Sequence, residues 1–231
     1  MKILAVDTSS KNCSVAIVEV DKNMKFNVII TENNDNEKTN LTLDDINLLA
    51  WCLGPGSFTG IRIGIASVKA FADVKNIPTV GVTSLESLAY NVTENSYVAS
   101  LLDCKNQNVY GAMFFKLKTN YAQLEDNIAD SVEATLDQFI DKFSKVQAQS
   151  VTFVGDGSIL YKDLIKNKFA SNPILANCQL SFSNNNVQSA VSLAKCAYYK
   201  LLQGQFGDSN NLSPLYLRKS QAERTNRAIE K

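Results

Sequence analysis

Apolar residues in the first part of the chain fall into short runs separated by polar turns. Strand-length runs occupy Ile3–Val6, Cys13–Val20 and Phe26–Thr31, and the polar connections between them are as short as hairpins require. The run Leu48–Leu53 is apolar throughout, which predicts a strand buried on both faces. The chain is therefore expected to begin as an antiparallel meander and to continue with a buried strand.

A glycine-rich turn, Gly54–Gly60, follows this strand and leads into a predicted helix over Ile61–Lys75. Apolar side chains cover most of the helix circumference, and Arg62, Lys69 and Asp73 form one narrow polar stripe. One side of the helix is expected to meet the sheet. The other side needs a cover, either from this chain or from a partner.

The same order of patterns restarts in the second half of the chain. A predicted strand, Tyr97–Leu102, ends at Asp103, as the first strand ends at Asp7. Two strands-then-helix halves in tandem predict a duplicated α/β architecture. Residues 1–95 would form one lobe, and residues 96–231 would form the other lobe and a tail.

Local signals give four further elements. A helix is predicted over Ser84–Tyr90 with Ser84 as its N-cap, and another is predicted over Ile159–Ile165. Pro173–Leu175 is predicted as a short strand, and Val187–Leu202 as a well-patterned helix.

Composition excludes several classes of function. The 231 residues include 23 Lys+Arg, 23 Asp+Glu and no histidine. Zero net charge gives no sign of the basic face typical of a protein that holds nucleic acid alone. The lack of histidine excludes Ser-His and Cys-His catalysis and every His metal site. Five scattered cysteines, no signal peptide and no membrane-helix pattern predict a cytoplasmic protein with reduced thiols.

The sharpest local feature is the string Gly54–Gly64. A glycine-rich turn between a strand and a helix directs backbone N–H groups outward and favours an anion. It is not a Walker A loop, because Ile61 and Arg62 follow Gly60 where Lys and Ser/Thr are needed. A tight structural turn is about as good an interpretation. Arg62 favours an anion or a partner carboxylate, and Phe58 is either an exposed anchor or a plug over the first strands.

Two other candidate sites are weaker. The turn Asp7–Ser9 offers ligands for Mg²⁺ or phosphate, although its hydroxyl groups account for it more simply as a capped turn. Ser57 and Thr59 would be the nucleophiles of a peptidase. Without histidine they need a lysine base, and Lys69 lies two helical turns away.

Several strings together resemble the TsaB (YeaZ) family. They cover nearly the whole chain in the family's order: Ile3–Ser9, Cys13–Ala16, Gly54–Gly64, Pro78–Leu85, Asp103, Val109–Tyr110, Gly155–Gly157 and Pro214–Arg218. The resemblance implies an α/β fold of two tandem actin/sugar-kinase-like (ribonuclease H-like) lobes, with mixed sheets flanked by helices. It also implies a role in placing threonylcarbamoyl on tRNA adenosine, beside the transferase TsaD and the ATPase TsaE.

The resemblance also implies sites. The helix after the glycine-rich turn would carry the face used by a homodimer and by TsaD, with partner-binding residues Phe58, Arg62, Ile63, Ala66, Ala70 and Val74. The resemblance allows ATP or ADP to bind at the junction with the partner subunit. The residues of this weak site would be Asp7, Thr8, Gly54, Gly56, Ser57, Thr59 and Gly60. It implies no metal of this chain's own, and contact with tRNA only through the partner.

The resemblance further implies a subunit without catalytic residues. TsaD-like proteins hold their metal with a pair of histidines, which this chain lacks. Active members of the superfamily have Asp-x-Gly turns, whereas this chain has Asp7-Thr8-Ser9 and Asp103-Cys104-Lys105. A Cβ at these turns crowds the approach of phosphate, so weak or no ATP hydrolysis is expected. The alternative is an ATP-binding phosphotransferase or ATPase of the same superfamily.

One stretch departs from the family. Members usually carry a helix between the third strand and the segment Leu41–Ile46. Here Glu32–Asn40 has no apolar residue and predicts an exposed loop. The helix over Ile61–Lys75 would then lack its usual cover.

Overall fold

The computed structural model describes residues 1–31, 40–93, 96–117, 120–123 and 132–217, the side chains at 116–117, 120–123 and 132–133 excepted. The predicted loop over Glu32–Asn40, with the missing helix, falls almost wholly outside these residues, as does Arg218. Within the described part of the chain, no helix is both long and apolar enough to cross a membrane.

The first half of the chain forms a five-stranded mixed sheet. Its strands are β1 (Lys2–Asp7), β2 (Ser14–Val20), β3 (Phe26–Thr31), β4 (Leu48–Gly54) and β5 (Thr79–Thr83), in the order β3-β2-β1-β4-β5. The pairs β1–β2 and β2–β3 are antiparallel, which confirms the predicted meander. The pairs β1–β4 and β4–β5 are parallel.

The second half repeats this arrangement. Its strands are β6 (Tyr97–Asp103), β7 (Asn108–Leu117), β8 (Asn120–Gln123), β9 (Val132–Thr135), β10 (Ser150–Val154) and β11 (Gln179–Phe182). The order is β11-β10-β6-β7-β8, and β9 also pairs with β7. The first strand is again central, with an antiparallel neighbour on one side and a parallel neighbour on the other. The predicted α/β class with mixed sheets is confirmed.

Six α-helices flank the sheets in the described residues: α1 (Phe58–Lys75), α2 (Ser84–Ala89), α3 (Leu136–Ser144), α4 (Asp156–Leu160), α5 (Lys162–Ser171) and α6 (Ala190–Leu202). The predicted N-cap of α2 was wrong by one residue. Thr83 has the extended backbone that a cap needs, and its hydroxyl accepts a hydrogen bond from the Glu86 amide. The Glu86 carboxylate accepts from the Thr83 amide and completes a capping box.

Two other local predictions were wrong. The helix predicted over Ile159–Ile165 is two helices, α4 and α5, that break at Tyr161. The strand predicted at Pro173–Leu175 is a turn, because the Asn172 side chain accepts from the Ile174 amide and its carbonyl accepts from the Leu175 amide. The edge strand of the sheet is β11 instead.

The two halves exchange helices. Helix α6 packs its buried face, which includes Leu193 and Ala197, on the first sheet against residues such as Ile3 and Leu48. Helix α2, which follows the last strand of the first sheet, packs Leu88 in the core of the second sheet. The predicted division into residues 1–95 and 96–231 stays a prediction. It separates the two sheets, but each half also lends a helix to the other.

Candidate functional site

The two halves border a cleft of about 700 Å³. The turn after β1 and the start of α1 line one side, and the end of β6 with the turn after it lines the other. The segment Asn186–Gln188, just before α6, also lines the cleft. Of the sequence-predicted cofactor residues, Gly56 and Ser57 line this cleft.

The glycine-rich turn packs directly on the turn after β1. A Cβ on Gly56 would overlap the Ser9 carbonyl, and a Cβ on Gly60 would overlap the Thr8 carbonyl. The Thr8 hydroxyl donates to the Gly60 carbonyl at 2.7 Å, and the Ser57 amide donates to the Ser9 carbonyl at 2.7 Å. Close backbone packing within the protein therefore accounts for both glycines.

The same contacts use groups that an anion would need. The Ser57 amide is bonded to the first turn, and the Gly60 amide donates to the Ser57 hydroxyl, the N-cap of α1. The Gly54 backbone has a φ of 101°, and a Cβ there would meet the Ile61 side chain. Thr59 is exposed at the start of α1. The residues do not fit a phosphate between the loop and the turn, because the backbone of the turn fills the space beside the glycines.

Asp7 lies beneath this turn, with 1% of its surface exposed. Its Oδ1 accepts from the Ser9 amide at 2.9 Å and from the Ser9 hydroxyl at 2.6 Å. Its Oδ2 is buried without a hydrogen-bond partner among the described residues. Burial raises the pKa of Asp7, although the bonds from Ser9 favour the ionised form. Burial therefore makes ionisation of Asp7 harder than for an exposed aspartate, which weakens it as a ligand for Mg²⁺.

Asp103 occupies the matching position in the second half. Its Oδ1 accepts from the Lys105 amide at 2.9 Å and from the Tyr161 hydroxyl at 2.8 Å. Its Oδ2 lies 3.0 Å from the Lys105 ammonium. Partial burial opposes ionisation of Asp103, but the hydrogen bonds from Lys105 and Tyr161 outweigh it and lower the pKa. The sequence did not single out Tyr161, because the two side chains are 58 positions apart.

The peptidase interpretation finds no base. The Ser57 hydroxyl accepts the hydrogen bond that caps α1. The Lys69 ammonium donates to the Ser209 carbonyl at 2.9 Å and lies 3.9 Å from Asp73. No described contact joins Lys69 to Ser57 or Thr59, and a serine needs such a contact to become a nucleophile.

Helix α1 has two opposite apolar sides. Ile61, Gly64, Val68 and Ala72 are buried against the first sheet. On the opposite side of the helix, an apolar stripe is exposed. We call this the outer stripe; it consists of Ile63, Ala66, Ala70 and Val74. Ile63 is 57% exposed and Val74 is 70% exposed, so α1 presents large apolar side chains to solvent.

The two remaining predicted partner residues meet a side chain from the end of the described chain. Phe58 is half-buried and stacks on Tyr216, with ring centroids 4.4 Å apart and planes 13° apart. The Arg62 Nε donates to the Tyr216 hydroxyl at 2.9 Å. The Tyr216 ring therefore covers one face of Phe58, and the role of Phe58 in partner binding stays a prediction. The signal for Tyr216 in the sequence was its place in the string Pro214–Arg218.

Comparison with known proteins identifies the family of the chain. A family model described as "TsaD: tRNA N6-adenosine threonylcarbamoyltransferase" matches residues 33–225. The tRNA threonylcarbamoyladenosine biosynthesis protein TsaB of Escherichia coli (strain K12) is 31% identical over 183 residues, which cover 72% of this chain and 76% of that protein. The chain belongs to the TsaB family. The TsaB protein of Bacillus subtilis (strain 168) is 24% identical over 96% of both chains.

Solved structures show the same fold. A Pseudomonas aeruginosa protein described as similar to peptidase YEAZ superposes with a TM-score of 0.72 at 20% identity, covering 94% of this chain and 99% of that chain. YeaZ from the same organism gives a TM-score of 0.66, also at 20% identity, over 94% of this chain and 100% of that chain. The chain therefore has the fold of YeaZ, with two mixed sheets flanked by helices.

Proposed function

We propose that this TsaB protein is a non-catalytic subunit that docks with a TsaD-like transferase for the threonylcarbamoylation of tRNA adenosine. The relatives' names support the pathway, and the exposed apolar side of α1 supports docking. A contiguous exposed apolar patch marks a surface that another molecule covers. Fully burying a side chain such as Ile63 contributes roughly 1.5–3 kcal/mol.

The two aspartate turns support a role without catalysis. Burial disfavours ionisation of Asp7, and the Asp103 carboxylate is paired with the Lys105 ammonium. Phosphoryl transfer depends on carboxylates that hold Mg²⁺ and on space for the phosphates. The turn above Asp7 leaves no space for a phosphate, and Asp103 already pairs with Lys105, so the two turns support a subunit that does not transfer phosphoryl groups.

The decisive experiment measures threonylcarbamoyladenosine in total tRNA by nucleoside mass spectrometry after depletion of this protein. The modified nucleoside should fall and should return with the native gene. Asp7→Asn should also restore it, because it keeps the fold and removes only the acid. Ala70→Glu should fail to restore it, since it places a charge in the apolar outer stripe.

The matched control is Ala170→Glu, which makes the same change at an exposed position of α5. It should restore the nucleoside fully. Loss of rescue with Asp7→Asn would indicate chemistry in the cleft. Full rescue by Ala70→Glu would remove the outer stripe as the docking surface.

The remaining partners are part of the same proposal. A TsaE-like ATPase would join the complex through the TsaD-like subunit and this chain, and ATP or ADP would sit at their junction. A homodimer would use the outer stripe in the absence of the transferase. Contact with tRNA would be made by the partner. Size-exclusion chromatography of this protein alone and mixed with each partner separates these assemblies.

A further inference from the structure

Arg62 is an exposed cation at the edge of the outer stripe. Six ion pairs form among the described residues, and none of them includes Arg62. Its one hydrogen bond within that part of the protein runs from Nε to the Tyr216 hydroxyl, at 2.9 Å. The guanidinium carbon also lies 5.7 Å from the centroid of the Tyr216 ring, so among the described residues the positive charge meets a phenol and no carboxylate.

The hydroxyl that orients Arg62 is itself fixed in place. The Tyr216 ring stacks on Phe58, in the first turn of α1. The preceding Leu215 donates its amide to the Leu53 carbonyl at 2.9 Å, at the end of β4. A segment from the far end of the described chain is thus bonded to β4 through Leu215 and stacked on the start of α1 through Tyr216. The stack on Phe58 positions the Tyr216 ring, and the Tyr216 hydroxyl in turn positions the Arg62 guanidinium.

The geometry leaves a recognition edge free. A guanidinium is planar and carries five N–H donors. The hydrogen bond to Tyr216 uses Nε, so the paired Nη groups at the end of the side chain remain available. Two parallel N–H donors match the two oxygens of a carboxylate. Lys69, on the same polar stripe of α1, is already bonded to Ser209 and faces Asp73, so it does not supply this contact.

We propose that Arg62, positioned by Tyr216, binds a carboxylate of the protein that docks on the outer stripe. The inference rests on the proposed function and identifies that partner as the TsaD-like transferase. The outer stripe would supply apolar contact, and Arg62 would fix the register of the partner by a charged pair beside it. Charged pairs across an interface fix the register of the partner and contribute to specificity and to the association rate. Tyr216 acts as a positioning residue, and it need not touch the partner.

The test measures binding of the full chain to the TsaD-like transferase of the same organism by surface plasmon resonance at low and high salt. Arg62→Gln should bind about tenfold more weakly at low salt, which corresponds to about 1.4 kcal/mol. Arg62→Lys should fall between it and the native protein, because it keeps the charge and loses the paired donors. The affinity of the native protein should fall with salt, and Arg62→Gln should lose most of that dependence.

Tyr216→Phe separates positioning from tethering. It keeps the stack on Phe58 and removes only the hydroxyl, so the thermal midpoint should stay unchanged while affinity falls about threefold. If both Arg62→Gln and Tyr216→Phe lower the thermal midpoint and leave affinity unchanged, the pair only tethers the chain end, and the inference is wrong.

Ala70→Glu and Ala170→Glu complete the set. If Ala70→Glu weakens binding while Arg62→Gln binds like the native protein, the carboxylate inference fails and the proposed function stands. If the native protein does not bind the transferase at all, the proposed function fails and this inference fails with it. Weak binding by both Arg62→Gln and Ala70→Glu, with native binding by Ala170→Glu, supports both.

Discussion

The two halves of the molecule place an aspartate at the end of their first strand and treat it in opposite ways. Asp7 is almost fully buried, and one of its oxygens has no hydrogen-bond partner among the described residues. Asp103 lines the cleft, and both of its oxygens are bonded or paired. The glycines at the ends of the parallel neighbours also match: Gly54 ends β4 with a φ of 101°, and Gly155 follows β10 with a φ of 103°. A repeated topology therefore does not repeat the electrostatics of the site.

The residues after each aspartate cause the difference. Thr8 and Ser9 bond to the glycine-rich turn, and their packing excludes water from Asp7. The turn after Asp103 has three consecutive left-handed residues at 105–107, with φ values of 71°, 55° and 59°. This turn stays at the cleft and brings the Lys105 ammonium onto Asp103. Burial by packing therefore sets the pKa shift of Asp7, whereas the neighbouring Lys105 contributes most visibly to that of Asp103.

The largest loss of stability is expected at the tightly packed contact between the glycine-rich turn and the turn after β1. Gly60→Ala would push a Cβ into the Thr8 carbonyl, and backbone cannot rotate away as a side chain can. We expect a loss of unfolding free energy of about 3 kcal/mol or more, as for overpacking combined with a lost hydrogen bond. Urea unfolding followed by circular dichroism measures it. Ser67→Ala, on the exposed side of the same helix, should change stability by less than about 0.5 kcal/mol.

Asp7→Asn should stabilise the protein near neutral pH. The pKa of Asp7 is raised in the fold, so the unfolded chain ionises this group first, and native stability falls as pH rises above the unfolded pKa. The amide removes that loss. The thermal midpoint of the variant should exceed the native value at pH 7, and the difference should shrink toward pH 4. Each kcal/mol of added stability raises the midpoint by about 2–4 °C. A variant less stable than the native protein at pH 7 would contradict a raised pKa of Asp7 in the fold.

Asp103→Asn should show the opposite pH profile. The pKa of Asp103 is lowered in the fold, so its stabilisation is present above the unfolded pKa and is lost as pH falls through the folded pKa. The variant should lose less than about 1 kcal/mol at pH 7, because Lys105 is largely exposed. Its thermal midpoint should match the native value in strong acid. If the thermal midpoints of Asp7→Asn and Asp103→Asn depended on pH in the same way, the proposed difference between the two aspartates would be wrong.

Lys105→Gly should give the smallest change in stability. Glycine adopts a φ of 71° without strain, which offsets the lost ion pair. We expect a net change within about 1 kcal/mol, together with a rise in the pKa of Asp103 that carboxyl-carbon NMR can follow. Lys166→Gly, in the right-handed backbone of α5, should instead lose about 1 kcal/mol. Equal losses for the two variants would show that residue 105 is unstrained.

Much of the fold could be predicted because its strands alternate or run fully apolar. The start of β4 at Leu48 and the end of α1 at Lys75 follow directly from such patterns. The exchange of α2 and α6 could not be predicted, because an apolar helix face does not indicate which sheet it meets. The string Asp7-Thr8-Ser9 likewise gave no sign that its carboxyl is buried, since burial comes from contacts with Gly56 and Gly60 some 50 positions later.

The outer stripe was easier to find than the contacts around it. A helix apolar on two sides indicates a second cover from sequence alone, and α1 has one such side exposed. The stack of Phe58 on Tyr216 and the bond from Arg62 join residues 154 or more positions apart. No local pattern encodes such a pair.

The exchange of helices determines the order in which the two sheets can be completed during translation. The face of the first sheet that carries Ile3, Leu48 and Val82 is closed by α6, which ends at Leu202. A nascent chain that has delivered the whole first sheet still lacks the helix that covers it, although domains commonly fold in the order in which they emerge. The first sheet is therefore completed after the second sheet has been synthesised, and its apolar face stays open until α6 has left the ribosome.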